Sequence, residues 1–145
     1  MTLDFEARIR SSFARQAFMT TLGAELVAIE PGQVVIEPPF RRDLTQQHGF
    51  LHAGALAAVA DSACGYAALS LMPAGAAVLS VEFKINLMQP AAGPRFRALG
   101  KVLRAGRTLT VCTGEVQACH DERQVVIAVM QATLMAVQDR SGMVD

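Results

Sequence analysis

Two side chains in this sequence have the makings of a hydrolytic site: His52, and Asp61 nine positions further on. Asp61 is the only charged residue between Asp43 and Glu82, and it stands inside the most apolar stretch of the chain. A carboxylate so placed can serve as general base or nucleophile. On one helix, nine residues are about 13 Å of rise and about half a revolution. A single chain therefore cannot bring both groups to one substrate atom while His52 lies on that helix. Two copies related by a twofold axis can, with Asp61 of one facing residues 52–54 of the other.

The start of such a helix supplies the complementary half of the chemistry. Its first N–H groups lack intrahelical partners, and the helix dipole adds roughly half a positive charge there. Small residues at Ala53 and Gly54 leave those amides open to a substrate oxygen, which makes an oxyanion hole. Each residue also has a plainer role open to it. Asp61 can be a structural acid bonded to backbone or to Ser62. His52 can be a helix cap, Ala53-Gly54 a site of close packing, and Ser80 an ordinary strand serine.

These residues need elements to position them. Leu3, Ile9, Phe13, Ala17 and Phe18 recur at near-helical spacing, which predicts an amphipathic helix over residues 3–20, ended by Gly23. Short strands are expected at about 24–30 and 33–38 around Pro31-Gly32, then a loop over 39–51. A second helix covers about 53–71 and is closed by Pro73 and Gly75. The period then changes to two: Leu79, Val81, Phe83, Ile85 and Leu87 alternate with polar residues along a half-buried strand. Strands at about 94–105, 107–119 and 123–137 follow, and the short turns between them predict an antiparallel meander of four strands. The helix at 53–71 is apolar on nearly every side, so the sheet must wrap around it. The fold class expected is α+β, one domain over residues 1–145, with a tail at 138–145.

Composition narrows the function. Of 145 residues 52% are hydrophobic and the formal net charge is +0, which argues against an electrostatic nucleic-acid binder and makes self-association plausible. Asp4 and Glu6 stand where a secretory leader would need bases. Residues 53–72 are long enough to span a bilayer, but Asp61 at the centre would cost about 2.5–3.5 kcal/mol, so no membrane span is expected. Cys64, Cys112 and Cys119 have no metal-ligand spacing and read as reduced core residues, consistent with the cytoplasm.

The run Gln46-Gln47-His48-Gly49-Phe50-Leu51-His52-Ala53-Gly54, followed by Asp61, resembles the signature of PaaI-type hotdog-fold acyl-CoA thioesterases. Ser80-Val81-Glu82-Phe83 resembles the family's next strand, and Gly100-Lys101-Val102-Leu103-Arg104-Ala105-Gly106-Arg107 its Gly-x-Val-x-Arg-x-Gly-Arg hairpin. The likeness covers about residues 20–137. It implies a hotdog fold: a long antiparallel sheet around a central helix, assembled as a dimer and often as a dimer of dimers. It further implies that the Ala53 amide and the Gln46 side chain polarise the thioester carbonyl. Asp61 of the partner subunit would activate water or attack directly. Ser80 would place that water, and His52 would orient the turn or contact the thioester. No metal or prosthetic group is implied, CoA being part of the substrate.

Two positions depart from the family pattern. Ala53 replaces a glycine, so the turn there must avoid positive φ. Gln46 replaces the commoner asparagine and shifts the amide by one methylene. Alternation puts Ser80 on the face of Glu82 and Lys84, so it reaches Asp61 only if its strand bends or lies at a subunit interface.

The acyl pocket is expected to be lined by Gly54, Tyr66 and neighbouring alanine, leucine and methionine side chains. Arg104 and Arg107 flank the Ala105-Gly106 turn, where two guanidinium groups can meet the phosphates of CoA; the plainer alternative is a pair of solvated turn residues. The leading expectation is an acyl-CoA thioesterase. A non-catalytic acyl-CoA binding or sensing protein is the alternative on the same fold. A hotdog dehydratase fits the His52-to-Asp61 order poorly.

Overall fold

The structure, a computed structural model, describes residues 2–138 and 140–145; Met1, and Asp139 of the expected tail, lie outside them. Thr2–Arg15 forms helix α1 and Ala17–Leu22 a short helix α2, so the single helix expected over 3–20 is broken at Gln16. Gln16 has φ −81° and ψ 96°, outside the helical region. Its side chain turns inward to bond the central helix instead. Gly23 ends α2 in the left-handed conformation, as expected.

Strands β1 (Glu25–Glu30) and β2 (Gln33–Glu37) pair antiparallel around Pro31-Gly32. After a loop with one 3-10 turn at Arg42–Leu44, helix α3 runs over Ala53–Leu69. Eight of its 17 residues are alanine and none is proline, a composition that favours helix while keeping its girth small. Its far end is held by α1: the Arg8 guanidinium donates to the carbonyl oxygens of Leu69, the last helical residue, and of Met72 and Pro73 in the turn that follows.

Strands β3 (Ala77–Leu87), β4 (Arg95–Ala105), β5 (Leu109–His120) and β6 (Arg123–Val137) complete one antiparallel sheet of order β1-β2-β4-β5-β6-β3. This corrects the expected meander. β4, β5 and β6 are joined by hairpins, but β3 pairs with β6, and residues 88–94 carry the chain back across to β4. Pro90 and Pro94 suit a crossover better than a hairpin, since neither can donate to a ladder.

The sheet curls around α3, which packs on β2, β3, β4, β5 and β6, and from Ala63 to Leu69 every residue of the helix is buried. The expectation of a sheet around a central helix at about 53–71 is met. Close approach is enforced at Gly100 on β4, where a β-carbon would fall inside the contact distance of the Ala63 carbonyl. Gly100→Ala should therefore destabilise the fold at the upper end of the roughly 1–3 kcal/mol typical of overpacking, read from urea unfolding.

Candidate active site

Asp61 sits two turns along α3, half-buried, and its Oδ1 accepts a 2.7 Å hydrogen bond from Ser80 Oγ. A β-bulge makes that contact. Ser80 lies opposite Leu134, whereas Glu82 lies opposite Thr133, leaving Val81 as the extra residue. The bulge shifts the alternation by one, so Ser80 shares the helix-facing side with fully buried Leu134 and not the outer side with Glu82. The expected face of Ser80 was wrong for this reason, while its pairing with Asp61 needs no second chain.

Burial raises the Asp61 carboxyl above the ordinary aspartate range, and the Ser80 hydrogen bond pulls part of the way back. Ser62, one candidate partner of Asp61, instead donates to Gln16 Oε1 at 3.0 Å. Asp61 and Ser80 line a cavity of about 240 Å³ together with Gln16, Tyr66, Val78 and Asp145. Tyr66 is thus beside Asp61, its hydroxyl within 3.2 Å of Ser12 Oγ and accepting from Gln16 Nε2 at 3.0 Å. Burial raises its phenol, which keeps the proton on.

The other expected residues gather at the opposite end of the helix. His52 is the N-cap of α3, and its Nδ1 accepts from the Gly54 N–H at 2.7 Å. That contact fixes the ring as a cap and commits the Gly54 amide, which corrects the expectation that both Ala53 and Gly54 offer free N–H groups. The Ala55 and Leu56 amides bond the His52 carbonyl. Among the described residues the Ala53 N–H alone of the first turn lacks an acceptor. Ala53 is itself helical, so glycine's conformational freedom is not needed at this position. Replacing the cap by His52→Ala should cost about 1 kcal/mol, and His52→Asn, which keeps an acceptor, should restore most of it in thermal unfolding.

Gln46 stands in the turn before the helix. Its Oε1 accepts from the His48 and Phe50 amides at 2.6 and 3.3 Å, in a turn that Gly49 completes at φ 85°. With the oxygen so engaged, the Nε2 hydrogens, which have no acceptor among the described residues, remain the donor that a carbonyl needs. Gln46 and Ala53 line a second cavity, about 420 Å³, with Leu56, Leu87, Met88 and Pro90 and with no titratable side chain. Arg104 and Arg107 lie exposed at the β4–β5 hairpin, outside both cavities.

The structure thus joins Asp61, Ser80 and Tyr66 in one cavity and Ala53 and Gln46 in another. Sequence reasoning missed Gln16 and Asp145, which line the Asp61 cavity, and Ser12, which bonds Tyr66 and Asp145 behind it. The near-helical spacing of Phe13, Ala17 and Phe18 runs straight through Gln16 and carries no signal of the break that turns it inward.

The sheet wrapped around a helix that carries a carboxylate defines a hotdog protein. The model of the thioesterase superfamily matches residues 48–126. A crystal structure of a thioesterase family protein from Silicibacter pomeroyi is 52% identical, with TM-score 0.91 over 93% of this chain and 99% of that one. The PaaI protein of the E. coli phenylacetic acid degradation operon shares the fold, at TM-score 0.84 and 19% identity over 99% of this chain and 97% of its own. A Saccharolobus solfataricus protein that carries the name of an esterase is 36% identical over 62% of this chain; the match spans 64% of that protein's length. The chain belongs to the thioesterase superfamily. Family and relatives support hydrolysis of a thioester or ester.

Proposed function

We propose that this protein hydrolyses acyl-CoA thioesters to free acid and CoA at a site shared by two subunits. The observation that carries the reading is the division of the chemistry within one chain. The carboxylate and the free amide lie on the same helix about 12 Å apart along its axis, in separate cavities. Neither half suffices alone.

The edge strand supplies a way to unite them. β3 ends the sheet on one side, and its Leu79, Val81, Phe83 and Leu87 are 41–54% exposed. An unpaired apolar edge of this length invites a second copy. Antiparallel pairing of two β3 strands about their middle, Glu82, sets Leu79 and Ser80 of one subunit opposite residues 85 and 84 of the other, and Ala77 opposite residue 87. Such pairing turns the Asp61 end of one helix toward the Ala53 end of the other, the arrangement that the shared site requires. The same surface chemistry accommodates a dimer, and two dimers can pair again through their sheets.

In that assembly the thioester oxygen accepts hydrogen bonds from the Ala53 N–H and Gln46 Nε2, at the positive end of α3. Asp61 then removes a proton from water or attacks the carbonyl carbon itself. Either route breaks the carbon–sulfur bond and releases the CoA thiolate. After direct attack, water must then cleave the acyl-Asp61 anhydride to give the free acid and restore the carboxylate. Ser80, whose hydrogen is committed to Asp61, keeps lone pairs with which to hold the water. The carboxylate and amides supply the chemistry, so no metal or prosthetic group is called for. Burial pushes the Cys112 thiol up to about 12, and Cys64 higher still, so neither is a competing nucleophile. Unpaired cysteines among the described residues support a cytoplasmic setting. No described helix is long and apolar enough to cross a membrane.

The deciding experiment incubates the protein with a panel of acyl-CoAs and a thiol reagent. Free CoA supports hydrolysis, saturable binding without turnover makes the protein a binder, and an enoyl product makes it a dehydratase. Arg104 and Arg107 are assigned to the CoA phosphates. Their double replacement by alanine should raise KM for acyl-CoA with little change in kcat, while short pantetheine thioesters, which lack the nucleotide, are cleaved equally by both proteins.

A further inference from the structure

The cavity beside Asp61 is bordered by a row of hydrogen bonds that draws on distant parts of the chain. Ser62 Oγ donates to Gln16 Oε1 at 3.0 Å, and Gln16 Nε2 donates to the Tyr66 hydroxyl at 3.0 Å. The Tyr66 and Ser12 hydroxyls are 3.2 Å apart, and Ser12 Oγ donates to Asp145 Oδ1 at 3.0 Å. Asp145 Oδ2 accepts the Val78 N–H at 2.7 Å. Since the Ser12 hydrogen goes to the carboxylate, Tyr66 is the donor in the 3.2 Å pair. The row is directed throughout, and its acceptors are engaged from within the chain.

We infer that Asp145 is a specificity-determining residue whose side chain is the stop that limits the length of the acyl group. The inference rests on the thioesterase reading above. Asp61 must reach the thioester carbon, so the group lodged in its cavity is attached on one side of that carbon. At about 240 Å³ the cavity is too small for the nucleotide portion of CoA, and with Tyr66, Val78 and Leu79 in its wall it suits an acyl chain better than the amide-bearing pantetheine arm. Tyr66 and Gln16 belong to the framework: Tyr66 is 4% exposed and packs edge-on against Phe13 at 6.0 Å. Asp145 comes instead from residues 140–145, beyond the last strand, and its carboxylate is fixed by the two bonds to Ser12 and Val78. It is the part of the wall that can be removed without opening the core.

The test compares straight-chain acyl-CoAs from butanoyl to dodecanoyl with the wild type, Asp145→Ala and Asp145→Asn. Hydrolysis is read as kcat/KM, and binding is read by calorimetry for each protein with Asp61→Asn added to prevent turnover. Asp145→Ala should shift the preferred length upward, with a gain of about fourfold for each methylene newly enclosed. Asp145→Asn, which keeps the volume and an acceptor, should follow the wild-type profile. If the wild type cleaves the series but Asp145→Ala has the same length profile, the stop is wrong. If no CoA is released by any protein yet Asp145→Ala still moves the binding optimum, hydrolysis falls and the stop stands. Binding that ignores chain length in all three proteins overturns the inference whatever the turnover.

Discussion

Asp61→Asn is expected to lower acyl-CoA turnover by at least the ~10²–10⁴-fold that accompanies loss of a general base, while leaving the fold intact. The side chain keeps its size and can still accept from Ser80 Oγ, so the surroundings need not move. A stability measurement separates this from simple damage. Burial holds the Asp61 proton in the folded chain to a higher pH than in the unfolded chain. Between those two pKa values the folded state binds more protons, so stability falls as pH rises through that window and stays lower above it. The neutral amide escapes this penalty. Tm of Asp61→Asn should therefore match or exceed that of the wild type at neutral pH, and the difference should vanish below the ordinary aspartate pKa. For the wild type, turnover should drop on the acid side at a pH above that usual value. Retention of more than about a tenth of the activity in the variant would remove Asp61 from the chemistry.

The second large effect is a recovery. Ala53 is the first residue of α3, where proline is well tolerated, and His52 before it is extended at φ −63° and ψ 139°, as proline requires of its neighbour. Ala53→Pro thus deletes one N–H with little disturbance, and kcat should fall ~10²–10³-fold, as when an oxyanion donor is lost. Mixing this chain with Asp61→Asn should restore roughly a quarter of wild-type activity, because half of the dimers are mixed and each holds one site with both halves native. Subunit exchange verified by mass spectrometry without any recovered activity would place the whole site within one chain.

Much of this arrangement was legible in the residues. The apolar run with few breakers marked α3, and an isolated carboxylate within it marked Asp61. The small residues at its start marked the exposed amide. Strand pairing was not legible, because alternation reports which side of a sheet a residue faces and says nothing of which strand lies next to it. β3 therefore looked like the neighbour of β4, although it pairs with β6. The bulge at Val81 was hidden for a related reason: Leu79 through Leu87 keep an unbroken period of two, and the extra residue appears only against the partner strand. Ser62 adjoins Asp61 in the chain but points to Gln16, a partner 46 positions away. Such distant meetings, like that of Asp145 with Ser12, leave no local trace.

With the site shared as proposed, the exposed edge of β3 would tie the protein's output to its own abundance. A freshly made chain carries an apolar ribbon along one side and only half of the chemistry at each end of its helix. On that proposal a chain that has not met a second copy would be idle, and its bare apolar edge would leave it prone to clump. Encounter between copies grows with the square of their concentration. At low expression the cell would therefore hold fewer working sites per chain synthesised, and dilution in the test tube should lower specific activity.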